Sequence, residues 1–152
     1  MDEQTRIRVG CAPFSMSDEY QWLSASDLDG AVVTFTGKVR NHNLGDNVRA
    51  LRLEHYPGMT EKALAEIVEE ARQRWPVQRV TVVHRIGELF PGDEIVLVGI
   101  SGAHRGAAFS AAEFIMDQLK TRAPFWKQEA TPEGDRWVDS RDSDRQAADR
   151  WK

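Results

Sequence analysis

Ile95-Val96-Leu97-Val98, continuing into Gly99-Ile100, is the stretch that decides the fold. It is apolar at both parities of an extended chain, so neither face of the strand meets water. A strand covered on both faces belongs in the interior of a sheet. Working outward, a helix is expected from about His104 to Arg122, with Ala108, Ala112, Ile115, Met116 and Leu119 on its core face and Pro124 past its end. On the other side, Phe90-Pro91-Gly92-Asp93 reads as a turn joining a strand from Val77 to Ile86 onto Glu94–Ile100.

Further upstream, Leu64, Ile67, Val68, Ala71 and Trp75 form the apolar stripe of a second long helix. Thr60 is its expected cap, Glu61 suits its first turn and Pro76 stops it. Arg49 to Tyr56 alternates and places Leu51, Leu53 and His55 together. From Ala31 to Arg40 the period of two puts Val33, Phe35 and Val39 on one face and Thr34, Thr36, Lys38 and Arg40 on the other. Asn41 to Asn47, with Gly45, reads as a polar loop. Arg6 to Cys11 reads as a first strand, and Ser17 or Asp18 as the cap of a short helix through Trp22 and Leu23. Phe125 to Ala130 and Arg136-Trp137-Val138 read as a hairpin around residues 131–135. The tail from about Asp139 is charged, with Trp151 as a late apolar residue; a terminal helix, a mobile arm and a partner contact all fit it.

At 152 residues, with 41% apolar residues and five Trp, one packed domain spanning 1–152 is the expectation. Net charge is -4, which speaks against general nucleic-acid binding. The single cysteine, Cys11, cannot form an internal disulfide, and no apolar signal region or membrane-length run appears, so a cytoplasmic location is expected. Walker A, Gly-x-Gly-x-x-Gly and Gly-x-Ser-x-Gly patterns are missing, and His42, His55, His84 and His104 lack zinc-ligand spacing. His55 and His84 read as strand residues with satisfied hydrogen bonds.

Two stretches without an acidic residue stand out, each with two or three cations close together beside apolar residues: Thr34 to Asn43, and Lys120-Thr121-Arg122-Ala123-Pro124-Phe125-Trp126-Lys127. Like charges repel, so gathering them beside apolar residues suits a site for an anionic substrate; a pair of solvated basic faces is the alternative. His104-Arg105 falls at the start of the second long helix, where unpaired N–H groups and the dipole favour an anion, although a solvated Arg105 and a local cap are also compatible with that position. Lys120 borders the core face of the same helix. It either snorkels to water or is partly desolvated among Arg40, Arg122 and Lys127 and available as base or nucleophile. Arg105 and Lys120 are separated by about 22 Å of continuous helix at 1.5 Å per residue. If both serve one small substrate, the site must cross a symmetric subunit interface, and a fully active obligate monomer would exclude that arrangement.

Val33-Thr34-Phe35-Thr36-Gly37-Lys38-Val39-Arg40, Leu53-Glu54-His55-Tyr56-Pro57-Gly58-Met59, His84-Arg85-Ile86-Gly87-Glu88-Leu89, Ala103-His104-Arg105 and Lys120 to Lys127 occur in this order. Together they closely resemble the large, catalytic subunit of molybdopterin synthase, from about Ile7 to Trp151. The resemblance implies an α+β fold of the α/β-hammerhead type, with an antiparallel sheet and two long helices. It implies a homodimer of large subunits within a heterotetramer, with a small ubiquitin-like sulfur-carrier subunit at each end. That partner ends in a Gly-Gly thiocarboxylate, the source of the two sulfurs that turn the pterin substrate, cyclic pyranopterin monophosphate (precursor Z), into the dithiolene of molybdopterin. No cofactor or metal is implied for this subunit.

By the same resemblance Lys120 is the essential catalytic lysine and Lys127 a second functional one. Arg40 is the pterin-pocket arginine, near Phe35 and Met116. His104 and Arg105 bind an anion, and Arg141 is a further pocket arginine. Such a site needs fixed cations, because substrate, intermediate and thiocarboxylate are all anionic. Two rivals stay open: a non-catalytic module that binds a ubiquitin-like Gly-Gly tail, and a sensor of a phosphorylated ligand. The module would not need Arg40, His104, Arg105 and Lys120 together, and the sensor would not need a protein partner.

Overall fold

The computed structural model describes residues 3–43, 46–138 and 142–152. The chain runs β1 (Thr5–Gly10), α1 (Met16–Leu23), β2 (Ala31–Lys38), β3 (His42–Asn43), β4 (Asp46–Asn47), β5 (Ala50–His55), α2 (Met59–Arg74), β6 (Val77–Arg85), β7 (Gly87–Leu89), β8 (Glu94–Gly102), α3 (Arg105–Arg122), β9 (Phe125–Thr131), β10 (Gly134–Val138) and α4 (Asp142–Asp149). Two four-stranded sheets form, in the orders β1-β6-β8-β2 and β10-β9-β5-β7. Only the edge pair β1–β6 is parallel among the described ladders; the others are antiparallel. This is the α+β architecture expected from the sequence.

β8 is internal to its sheet, as its doubly apolar pattern requires. Val96, Val98 and Ile100 face α2 and α3, in a core with Leu64, Ile67, Val68, Ala71, Ala108, Ala111, Phe114 and Ile115. Leu97 points the other way, with Phe14 and Val83. Gly99 shares that parity, and a Cβ on it would lie 2.4 Å from a methyl of Leu23, so glycine lets α1 approach the sheet closely. A smaller core of Val39, Leu51, Leu53 and Leu89 belongs to the second sheet.

Several local expectations are corrected. Ser15, not Ser17 or Asp18, caps α1, its side chain accepting from the Asp18 N–H at 3.2 Å. Gly58, at φ 84°, opens α2 in place of Thr60. Thr60 lies inside the first turn, where its hydroxyl donates to the Tyr56 carbonyl at 2.9 Å, while Glu61 accepts the Gly58 N–H at 3.3 Å. The expected direct hairpin from β6 to β8 contains β7, which pairs with β5 and carries the chain briefly into the second sheet. Gly87 at φ 84° makes that departure. The polar loop after Arg40 holds a short ladder of His42 with Asn47; Gly45 lies outside the described residues. The charged tail ends in α4, which packs on α3. Trp151 closes the packing edge-on, 5.4 Å from Trp75 and 5.6 Å from Phe114, and its indole N–H donates to Asp117 at 2.7 Å.

Candidate functional site

The two acid-free stretches meet. A pocket of about 440 Å³ opens where the two sheets join beside the C-terminal end of α3. Lys38, Arg40 and His42 line it from the first stretch, and Lys120, Thr121, Phe125 and Lys127 from the second. The floor is one face of the second sheet: Leu51 and Leu53 of β5, and Phe125, Lys127 and Glu129 of β9, which alternate as a strand must. His84 and Ile95 enter from the first sheet.

Local geometry aims these groups. A register shift at Gly37/Lys38 breaks the pairing of β2 with β8, and such irregularities turn a strand and redirect its side chains. Beyond it the Val39 N–H donates to the Asp93 carbonyl at 2.9 Å. Val39 is buried in the second-sheet core while Lys38 and Arg40 stay exposed at the pocket. Val33 and Val39, expected on one face, therefore serve different cores, and Phe35 is 44% exposed.

The pocket is cationic. Lys38, Arg40, Lys120 and Lys127 stand against Glu129 and Asp144, and Glu129 is ion-paired to Arg136 at 3.2 Å. Lys120 is exposed at the mouth and Lys127 half-buried. Of the two alternatives for Lys120, snorkelling to water matches the single chain. Arg122 is not part of its surroundings: it pairs with Glu70 of α2 at 2.6 Å.

His104 is the N-cap residue of α3, and Arg105 its first residue; both are exposed. They stand at the far end of the helix from Lys120, about 22 Å away, and do not line the pocket. Phe35 and the half-buried Met116 also lie outside its lining. Arg141 falls outside the described residues. Within one chain, then, Arg40, Lys120 and Lys127 come together, while Phe35, His104, Arg105 and Met116 are elsewhere on its surface.

Sequence reading passed over Lys38, His42 and His84 as pocket residues. Lys38 and His42 carried a signal, since both lie in the first acid-free stretch. His84 carried none, being one of several polar residues in β6. Its Nδ1 donates to the Arg85 carbonyl at 2.7 Å, as a satisfied strand histidine should, yet the ring also faces the pocket. Burial pushes its pKa down to about 4; the Arg85 carbonyl opposes this, and Lys120, Lys127 and His55 reinforce it.

A family model described as MoaE protein matches residues 9–122. The molybdopterin synthase catalytic subunit of Salmonella typhimurium is 75% identical over 148 residues, covering 97% of this chain and 99% of that protein. The Escherichia coli protein of the same name is 74% identical over 148 residues, with the same two shares covered. Among solved structures, the molybdopterin biosynthesis MoaE protein of Burkholderia ambifaria superposes with a TM-score of 0.82 at 49% identity, covering 97% of each chain. Molybdopterin synthase of Staphylococcus aureus gives a TM-score of 0.80 at 35% identity, covering 91% of this chain and 98% of that one. With a family model matching most of its length and relatives this similar end to end, the chain belongs to the MoaE protein family.

Proposed function

We infer that this chain is the catalytic, sulfur-transferring subunit of a molybdopterin synthase. It takes sulfur from the C-terminal thiocarboxylate of a small ubiquitin-like partner and installs it on cyclic pyranopterin monophosphate, building the dithiolene of molybdopterin. The observation that carries this reading is the convergence of both acid-free stretches on one pocket, in a chain whose relatives carry the synthase's name.

The residue types suit the chemistry. Pterin phosphate and thiocarboxylate repel each other, and fixed cations offset that repulsion without reorganising during reaction. The planar fork of Arg40 suits a phosphate. Lys120, on the rigid end of α3, is the general acid or base for thiocarboxylate attack, hydrolysis of the acyl intermediate and loss of water. Lys127 orients the carboxylate end of the partner's tail, which enters as an extended segment. No resident metal or cofactor takes part in this step.

His104 and Arg105 fit the same reaction if large subunits pair, so that the α3 start of one protomer completes the pocket of its partner. This accounts for an exposed anion site at one helix end and an exposed catalytic lysine at the other. A homodimer with one small subunit at each end gives the heterotetramer, and a cytoplasmic location accords with the lone cysteine.

The test is turnover of the pterin with thiocarboxylated small subunit by wild type and Lys120→Ala. Lys120 is exposed, so its removal should spare the fold and partner binding while lowering turnover about 10²–10⁴-fold. Equal product from both proteins removes Lys120 from the mechanism. No product from a correctly assembled wild-type complex favours the non-catalytic module.

A further inference from the structure

His84 and Glu129 are both buried side chains of the pocket wall, 6% and 5% exposed. Glu129 is held by Arg136; His84 is held differently. A carbonyl oxygen only accepts, so the 2.7 Å contact with Arg85 puts the ring proton on Nδ1. In the neutral ring, Nε2 then carries a bare lone pair. Phe125 lies against the imidazole at 3.9 Å between centroids and 20° between planes, which fixes the ring's attitude. Burial, with Lys120, Lys127 and His55 around it, keeps the ring uncharged at neutral pH. Among the described residues Nε2 has no hydrogen-bond partner. This lone pair borders a pocket lined by ammonium donors.

Lys120, the lysine assigned to catalysis, lines the same pocket as the ring, and with Lys127 it opposes protonation of the imidazole. Its ammonium has three donors and accepts nothing. We propose that Nε2 of His84 accepts a hydrogen bond from the Lys120 ammonium in the loaded pocket, making His84 the residue that positions the catalytic amine. A carboxylate in this place would hold the amine too, but it would cancel charge that an anionic substrate needs. A neutral imidazole directs the donor and leaves the pocket cationic. The proposal rests on the sulfur-transfer reading above.

The experiment uses the complex of this chain with its thiocarboxylated small subunit. His84→Asn keeps an amide donor near the Nδ1 position and has no acceptor at the Nε2 position; His84→Gln reaches the Nε2 position. Losing the alignment of the amine should lower kcat of His84→Asn about 100-fold with the pterin KM changed less than about twofold. His84→Gln should recover a large part of kcat. A kcat for His84→Asn within about twofold of wild type overturns the proposal, as does loss in both variants that merely tracks their thermal midpoints. Should His84→Asn not fold, imidazole 15N spectra of the loaded wild-type complex and of Lys120→Met decide. The Nε2 resonance should move toward the bare lone-pair position when the lysine is removed, and an unmoved resonance overturns the proposal. An inactive wild-type complex overturns the sulfur-transfer reading and this proposal with it. An active wild type with an equally active His84→Asn overturns the proposal alone.

Discussion

Acid should destabilise this protein through His84 in a way that one substitution removes. The folded ring has its pKa lowered from the ordinary 6.5 to about 4, chiefly because it is buried. Between these values the unfolded chain binds a proton that the folded chain refuses, so stability falls as pH falls through the window and is fully present above it. Each unit of the gap is worth about 1.4 kcal/mol, so by about pH 5 roughly 2 kcal/mol of the contribution is gone. Carboxylates titrate as well, but they do so in wild type and variant alike. The assay is urea unfolding of wild type and His84→Gln at about pH 8 and about pH 5, with stability extrapolated to water at each. Glutamine does not titrate, so the variant should lose about 2 kcal/mol less than wild type on acidification, whatever its stability at the upper pH. Equal losses would show that the ring takes its proton as readily folded as unfolded. The buried neutral imidazole would then be wrong.

If the site crosses two protomers, Arg105→Ala and Lys120→Ala chains should complement each other. Random mixing of two inactive dimers restores about a quarter of the sites, one in each mixed dimer; activity that stays at the level of the separate variants would confine the site to one chain. Phe114 is 1% exposed and meets both Trp75 and Trp151, so Phe114→Ala should cost about 3–5 kcal/mol in urea unfolding. A cost under about 1 kcal/mol would mean that the three-ring cluster is loosely packed.

Periodicity made much of the fold legible. The doubly apolar run at Ile95–Val98 placed β8 inside its sheet, and the stripes through Ile67 and Ile115 gave both long helices. Two of the failures have a common cause: contacts distant in sequence overrode a local pattern. Nothing around Ile86-Gly87 says that the next three residues pair with β5, because the partner lies more than thirty positions upstream. The alternation from Val33 to Val39 looked continuous until the shift at Lys38 divided it between two cores. Thr60 looked like a cap by residue type, but Gly58 at positive φ starts the helix earlier. In the site, charge clustering marked the chain segments that meet, since like charges gathered in an acidic protein are conspicuous. His84 was invisible for the reason that β7 was: its place beneath the end of α3 depends on how two sheets join.

The division of labour along α3 follows from helix geometry. Lys120 and Arg122 are two residues apart, so they point to nearly opposite sides. Arg122 is drawn to Glu70 at 2.6 Å and joins α3 to α2. One and two turns before Lys120, Asp117 and Glu113 take Arg150 and bind the C-terminal segment after α4 to the outer face. These pairs engage Arg122, Asp117 and Glu113 in packing, and Lys120 faces the pocket with Lys127 and Arg40. The same helix begins at His104-Arg105, where its dipole is positive and no side chain caps the backbone N–H groups. A single chain cannot bring both ends to one small molecule, whereas two chains related by a twofold axis can, each supplying the start of one helix and the end of the other. On the reading proposed above, the cationic pocket and the distant start of α3 are two halves of sites shared between protomers, not two separate sites on one.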